Sequence, residues 1–270
     1  MEKISARRLG NLILVLAVTF AGGFTACRKK TETAAPAPPP ASSPASGTTE
    51  AAAAPPISGP VTPALVNQEA DSITHYLHYP KEAKAGKLDG AVQFYCDLVE
   101  NGAVEATHAL VANNAVFKEA VQTALDWGHF TPATVNGKPV RVYLGGTVLF
   151  LHQNNDPVIV VSLATHDRDR VGKFANYIQP QLVGGLRHPL EKAISSLTKG
   201  ILVAGKAEVV VKVNAKGAVT GTSDISENPK GSGLGVLLDG AMKKAQFTPA
   251  YENGQPAAGA INVVANFGQF

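Results

Sequence analysis

The fold is decided by a stretch that occurs twice in the chain, first as Phe130-Thr131-Pro132-Ala133-Thr134-Val135-Asn136-Gly137-Lys138-Pro139. The second occurrence is Phe247-Thr248-Pro249-Ala250-Tyr251-Glu252-Asn253-Gly254-Gln255-Pro256, with the phenylalanine, the Asn-Gly pair and the prolines at identical spacing. A chain of matched spacings predicts two copies of one folded unit, each of about 80 residues. Outside the stretch, the matched positions are Gly90 and Gly102 against Gly205 and Gly217, and Phe150 against Phe267.

Each copy has the pattern of a small α+β unit. Alternating apolar residues predict a first strand, and a glycine turn after it predicts a hairpin. An apolar stripe at helical spacing follows, and the Phe-Thr-Pro-Ala turn ends that helix because proline disfavours helical geometry. A final long strand is expected over 140–151 and 260–270. The matched positions are Val92, Phe94, Cys96 and Leu98 against Ala207, Val209, Val211 and Val213, then Val121, Ala124, Leu125 and Gly128 against Leu238, Ala241, Met242 and Ala245.

The predicted unit is therefore helix–strand–strand–helix–strand, a three-stranded antiparallel sheet with helices on one face. We expect the first copy over 66–152 and the second over 177–270, joined by a connector over 153–176. Trp127, the only tryptophan, lies beside the helical stripe and is expected to be partly covered.

The N-terminus has the parts of a secretory signal: a basic start, an apolar run over 12–20 and small residues before Cys27. The run is shorter than the roughly 20 apolar residues that span a bilayer. Phe24-Thr25-Ala26-Cys27 resembles the lipobox of bacterial lipoproteins, although a leucine is usual where Phe24 stands. The resemblance implies cleavage of residues 1–26 and a lipid on Cys27, anchoring the chain to a membrane outside the cytoplasm. Ordinary signal cleavage with an unmodified Cys27 is the alternative.

The segment after the cysteine is predicted to be a disordered tether over 27–65. Residues 31–63 hold nine prolines and nine alanines, and no aromatic residue, lysine or arginine. Such a composition cannot bury enough apolar surface to offset the entropy of ordering, and its prolines favour extended chain.

The charge of the chain argues against nucleic acid as a partner. The formal net charge is +3, and removal of residues 1–26 takes away three basic residues and one acidic residue, which leaves +1. Nucleic-acid binding depends on many neutralised phosphates, which a nearly neutral chain does not supply.

No catalytic, cofactor or metal site is predicted. Cys96 stands where the second copy has Val211, which indicates a small buried core residue. The stretch Gly231-Ser232-Gly233-Leu234-Gly235 superficially suggests a phosphate cradle, but no strand–turn–helix unit or Gly-Lys-Ser/Thr accompanies it. The seven histidines lack the spacing of metal ligands.

The repeated pattern resembles the C-terminal domain of the TonB energy-transducer family. In the first copy the resemblance is carried by Tyr79-Pro80, Asn101-Gly102-Ala103-Val104, the Phe130 block and the Asn136-Gly137 block. In the second it is carried by Gly184-Gly185, Leu238-Asp239 and the Phe247 and Gly254 blocks. The family's energy transducer also has a membrane helix with a histidine that contacts a proton-driven motor, and residues 11–26 contain no histidine.

The resemblance implies a non-enzymatic periplasmic adaptor without a cofactor. Its partner would be an outer-membrane receptor or another envelope protein, which adds an extended segment such as a TonB box to a sheet edge. The implied edge is the last strand of each copy, at Val142, Leu144, Val148, Ile261, Val263 and Ala265.

Two other functions stay open at this point. One is a structural envelope lipoprotein whose domains pack on each other or on cell-wall polymer, and the other is an unrecognised enzyme. An exposed last strand would favour the adaptor, whereas a last strand buried between the copies would favour the structural protein.

Overall fold

The computed structural model describes residues 54–164, 176–195 and 204–268. The leader, Cys27 and the tether up to residue 53 lie outside the described residues. We call 54–164 the N-terminal half and 176–268 the C-terminal half.

The N-terminal half is built on a hairpin and a long strand. Its elements are β1 (Val61–Thr62), α1 (Ile73–Tyr76), α2 (Lys81–Ala85), β2 (Gly90–Leu98), β3 (Val104–Ala112), α3 (Lys118–Trp127), β4 (Ala133–Val135), β5 (Lys138–Val140), β6 (Val142–Gln153) and β7 (Asp156–Ser162). The main sheet runs β3-β2-β6-β7 with antiparallel pairing throughout.

The C-terminal half repeats this order of hairpin, helix, short two-stranded arm and long strand. Its elements are β8 (Tyr177–Ile178), β9 (Leu182–Val183), α4 (Arg187–Ser195), β10 (Lys206–Val213), β11 (Val219–Asn228), α5 (Leu234–Lys243), β12 (Ala250–Glu252), β13 (Gln255–Ala257) and β14 (Gly259–Asn266). Its main sheet is three-stranded, in the order β11-β10-β14. The predicted α+β class with antiparallel sheets is confirmed.

The geometry explains why the hairpin glycine and the Phe-Thr-Pro-Ala turn occur together. Gly102 has φ +86°, and a β-carbon there would collide with the Phe130 carbonyl. Gly217 has φ +80°, and a β-carbon there would likewise collide with the Phe247 carbonyl. Only glycine permits both this backbone conformation and this close approach.

The predicted helical stripes face the cores. Val121, Ala124 and Leu125 are buried under one face of the N-terminal sheet, with Cys96 and Phe130. In the C-terminal half the corresponding stripe is also buried, at Leu238, Ala241, Met242 and Ala245. Trp127 is 67% exposed, so the expectation that it is partly covered is wrong.

The second face of the N-terminal sheet packs against the C-terminal half. Tyr95 and Tyr143 point to this face and belong to the same buried apolar cluster as the core of the C-terminal half. Leu182, Leu186 and Leu190 complete the contact. All described residues therefore fall within one compact unit, Thr49–Phe270, rather than in two separated domains.

Two expected boundaries differ from the structure. The expected tether extended to residue 65, but Val61 and Thr62 pair with Val135 and Thr134, because the chain adds a strand to the short β4–β5 arm. Farther along, the side-chain amide of Gln181 donates to the Ala64 carbonyl and accepts from its N–H, at 2.9 and 2.7 Å. The expected connector from residue 153 contains β7, so the N-terminal sheet extends to Ser162.

The N-terminal sheet also differs from the predicted three strands. It has five, because β7 and β9 both pair with β6. The sequence pattern of the repeat could not indicate these two additions, since β7 lies outside the repeated unit and β9 comes from the other copy.

Candidate strand-docking edge

The long strand β6 is closed on both sides. One side pairs with β2 along Val142–Phe150. The other pairs with β7 from Thr147 to Gln153 and with β9 at Val142 and Tyr143. The expected edge at Val142, Leu144 and Val148 is therefore wrong: all three side chains are fully buried and the strand is not an edge.

A tight hairpin closes β6. Asn154 and Asn155 have φ of +52° and +72°, the left-handed conformation that a two-residue hairpin turn requires and that asparagine tolerates. The turn folds β7 directly back on β6, with Gln153 opposite Asp156 and Phe150 opposite Ile159. The chain thus covers in cis the edge that the family resemblance assigned to a partner.

The last strand of the C-terminal half, β14, is covered by the N-terminal half. The Tyr143 hydroxyl accepts a hydrogen bond from the Val264 N–H at 2.8 Å and donates to the Asn262 carbonyl at 3.3 Å. The Tyr143 hydroxyl thus occupies the backbone groups to which an added strand would bond. β14, the expected strand of Ile261, Val263 and Ala265, is an end strand of its sheet, but its outward groups at Asn262 and Val264 are bonded to Tyr143 and these three side chains are buried in the core.

Asp97 adds a buried polar link between the halves. Its Oδ1 accepts from the Leu186 N–H at 2.9 Å, directly before α4, and its Oδ2 lies 3.0 Å from His108 Nε2. The His108 ring in turn packs against Tyr143 at 5.6 Å between ring centroids. The bond from Asp97 to the Leu186 N–H ties the N-terminal sheet to the start of α4 in the C-terminal half.

The outer edge of β7, which like β3 and β11 is an end strand of its sheet, is a place where a further strand can pair. In a two-residue hairpin the residues flanking the turn, Gln153 and Asp156, bond to each other, and bonded pairs then alternate along the ladder. The N–H and C=O groups of Ile159 and Val161 therefore point away from β6. No described residue pairs with this edge between Pro157 and Val161. Pro157 also occupies an outward position, where its missing N–H costs no ladder bond.

The surroundings of this edge are apolar and bounded. Ile159 and Val161 pack on the N-terminal core, while Val158 and Val160 are half-buried on the opposite face. Past Ser162 the edge ends, because the Gln179 N–H donates to the Leu163 carbonyl at 3.0 Å. An unprotected apolar edge strand is a template for pairing with another chain.

The glycine-rich loop before α5 is filled by the protein's own carboxylate. Glu227 accepts hydrogen bonds from the Gly231 and Gly235 N–H groups, both at 2.8 Å. These bonds, that of Gly235 above all, hold the pKa of the Glu227 carboxyl below its usual value. The N–H groups of Gly231 and Gly235, which suggested a phosphate cradle, are therefore bonded to the Glu227 carboxylate.

Two further features bear on chemistry. Burial raises the pKa of the Cys96 thiol well above its usual value, which keeps that thiol protonated and unreactive. In the ranges that the structure describes, no cluster of three or more His, Cys, Asp or Glu side chains could hold a metal ion. No helix in the same ranges is long and apolar enough to cross a membrane.

The comparison with known families bears on the N-terminal half. Residues 75–150 match the family described as the Gram-negative bacterial TonB protein C-terminal. This stretch begins in α1 and ends within β6, so it contains β2, β3, α3 and the β4–β5 arm but not β7. No curated protein and no solved structure gives a significant match to the chain.

Sequence reasoning missed β7, although a signal was present. Asn154-Asn155 followed by the apolar run Val158–Val161 is a hairpin turn followed by a buried strand. The run lies after the end of the repeated unit, so comparison of the two copies could not reveal it as a strand.

Proposed function

We propose that this protein binds extended segments of envelope proteins by adding them as a strand to the outer edge of β7. The observation that supports it is an apolar edge strand with outward backbone groups, built directly onto a domain of the TonB C-terminal family. Members of that family act in envelope transport by binding other proteins, which makes a receptor or another envelope protein the expected partner.

The bonding at this edge sets the expected strength. Ile159 and Val161 offer two N–H donors and two C=O acceptors, and Pro157 adds one acceptor. Main-chain bonds of this kind supply affinity, and the half-buried Val158 and Val160 supply a shallow apolar surface for alternate side chains. Few side chains are engaged, so we expect dissociation constants in the micromolar range, at about −8 kcal/mol or weaker.

The proposal includes a second copy of the same domain in the C-terminal half. It is supported by the common order of hairpin, helix, arm and long strand, and by the equivalent glycine approaches at Gly102 and Gly217. In this arrangement the second copy is not a second docking site, because β14 is covered by Tyr143. The proposed docking edge is thus that of β7 alone.

The experiment is a proline replacement that removes one outward donor. Ile159→Pro deletes the Ile159 N–H and leaves the β6 ladder intact, so binding of a peptide with a TonB-box-like segment should weaken by about three- to tenfold. Isothermal calorimetry measures the change. Ile159→Val is the matched control, since it trims the side chain and keeps the donor. Equal affinity of the proline variant and wild type, with unchanged circular dichroism, would rule out this edge.

A structural role is the second candidate, and a specific observation favours it. The last strand of the C-terminal half is buried between the halves, as expected for a protein whose domains pack on each other. If receptor-derived peptides do not bind, and the intact protein purified from membranes carries cell-wall polymer instead, this candidate replaces the adaptor.

We further propose that the protein is a lipoprotein held to a membrane by Cys27 and facing the periplasm. The support is the lipobox-like Phe24-Thr25-Ala26-Cys27 after a basic and apolar start. Mass spectrometry of the mature protein should show cleavage before Cys27 and a diacylglycerol mass on it. Cys27→Ser should abolish partitioning into the detergent phase. An unmodified Cys27 in the wild type would end the claim.

A further inference from the structure

An apolar groove lies between α4 and α5, away from the β7 edge. Its volume is about 610 Å³. The walls come from the facing sides of the two helices, and the floor includes Val183 and Ala245. The apolar side chains that face the groove are those of Pro189, Ala193, Val236, Leu237 and Ala241.

The rim of this groove is basic. His188 and Lys192 contribute from α4, and Lys244 contributes from the end of α5. Among the described residues that line the groove there is no aspartate or glutamate. Two nearby cations are matched within their own helices, Arg187 by Glu191 at 2.7 Å and Lys243 by Asp239 at 2.8 Å. The groove therefore combines apolar walls with an excess of positive charge.

Val236 exposes a large apolar side chain at the groove. Its side chain is 75% exposed, although the neighbouring positions of α5 are apolar and one side of the helix is fully buried. A large exposed apolar residue within an apolar patch marks an interaction site more often than an ordinary surface. Apolar residues flanked by lysines are also the composition of surfaces that dock on a membrane interface.

The chain enters the described structure at this groove. Ala54 lines it, and the Pro55 carbonyl accepts a hydrogen bond from the Gln246 side chain at 3.2 Å. Cys27 lies 27 positions before Ala54. That length of chain spans no more than about 95 Å even when fully extended. If Cys27 carries a lipid, as proposed above, this length of chain leaves the groove within reach of the membrane.

We propose that this groove docks on an anionic lipid surface, with Val236 entering the interface and Lys192 and Lys244 contacting headgroup phosphates. The proposal goes beyond strand binding and does not depend on the β7 edge. Charge complementarity selects an anionic surface over a neutral one, since Lys192 and Lys244 line the groove and no acidic side chain among the described lining residues offsets them. The β7 edge then stays available for a partner.

The test is vesicle binding by the mature chain from residue 27, with Cys27→Ser so that no lipid is attached. The probes are vesicles of phosphatidylcholine alone and vesicles with about a third phosphatidylglycerol, compared by co-sedimentation. We expect binding to the anionic vesicles only. Lys192→Glu and Lys244→Glu should each lower it by about fivefold or more. Val236→Asp should lower it by about tenfold, because it places a charge where an apolar side chain inserts.

The matched control is Val111→Asp, which changes a 47%-exposed valine on β3, outside the groove. It should bind anionic vesicles like the wild type. Equal binding of both vesicle types, or a folded Val236→Asp variant that binds like the wild type, overturns the proposal. Absence of all vesicle binding overturns it too, and would reassign the groove to an acidic, apolar segment of a partner protein.

Discussion

At the scale of single residues, Tyr143 has the largest consequence for how the protein works. It lies on the strand that the family resemblance implied to be an edge, and its hydroxyl bonds to the outward backbone groups of the corresponding strand of the other half. The sequence pattern predicted a long last strand over 140–151, and one face of it is buried in the same core as α3. It could not predict that the opposite face, with Tyr95 and Tyr143, covers the C-terminal half, because that depends on how two units pack.

Replacement of Tyr143 by phenylalanine tests this contact. Tyr143→Phe leaves the Val264 N–H without its acceptor inside the interface, so we expect a loss of about 1–3 kcal/mol in the free energy of unfolding. Urea denaturation at neutral pH measures it. Tyr95→Phe is the control: its hydroxyl accepts only from the Asn262 side chain, at 3.3 Å, and should cost less. A larger loss in the control would contradict the assigned role.

The same hydroxyl predicts a pH dependence. Burial raises the pKa of Tyr143 well above that of the unfolded chain, which is about 10. The neutral phenol therefore stabilises the fold fully below about pH 10, and stability falls as the pH rises above it because the unfolded state ionises first. Between pH 9 and 11 the wild type should lose more stability than Tyr143→Phe. Parallel losses in the two proteins would argue against a buried, neutral Tyr143.

At the scale of elements, the helices and paired strands follow the sequence closely. Helical periodicity in the sequence predicts the buried stripes on α3 and α5. The hairpin glycines are required because the backbone of the Phe-Thr-Pro-Ala turn comes close to them. Strand pairing beyond the repeat does not follow, because a run such as Val158–Val161 has no alternation to indicate its face or its neighbour. The candidate site was therefore placed one strand too early.

Truncation of the buried helical stripes tests whether both halves depend on one core. Leu125 on α3 and Leu238 on α5 are both almost fully buried. Leu125→Ala and Leu238→Ala should each lower the free energy of unfolding by about 2–5 kcal/mol. Because Tyr95 and Tyr143 join the two cores, both variants should shift one and the same melting transition in calorimetry. Two transitions, each moved by only one variant, would contradict the shared core.

At the scale of the whole molecule, the sequence predicts that there are two units but not how the two units are joined. Composition and repeated spacing predict an α+β protein of two units after an export signal and a proline-rich tether. They do not predict that residues 54–65 contact both halves. Thr62 pairs with Thr134 on the short arm of the N-terminal half, and Ala64 bonds to the side chain of Gln181, just before β9 in the C-terminal half. Proline and alanine in that segment indicate extended chain, and extended chain can be a tether or an added strand.

The packing of the halves changes the functional expectation for the whole chain. Two independent domains would present two edges and gain apparent affinity for a divalent target. In one body with β6 paired on both sides and Tyr143 bonded to the edge of β14, neither last strand is open, and the outer edge of β7 is the single proposed docking site. We therefore expect a one-to-one complex with an extended segment.

Amide hydrogen exchange, followed residue by residue by NMR on the mature chain, tests the β7 edge most directly. In the free protein the outward N–H groups of Ile159 and Val161 should exchange fast, and those of Val158 and Val160, bonded to β6, should exchange slowly. Saturation with a TonB-box-like peptide should slow exchange at Ile159 and Val161 by about tenfold or more, since a new main-chain hydrogen bond protects each. Protection that appears at β14 instead, or no change at Ile159 and Val161 while the peptide is bound, would contradict the account.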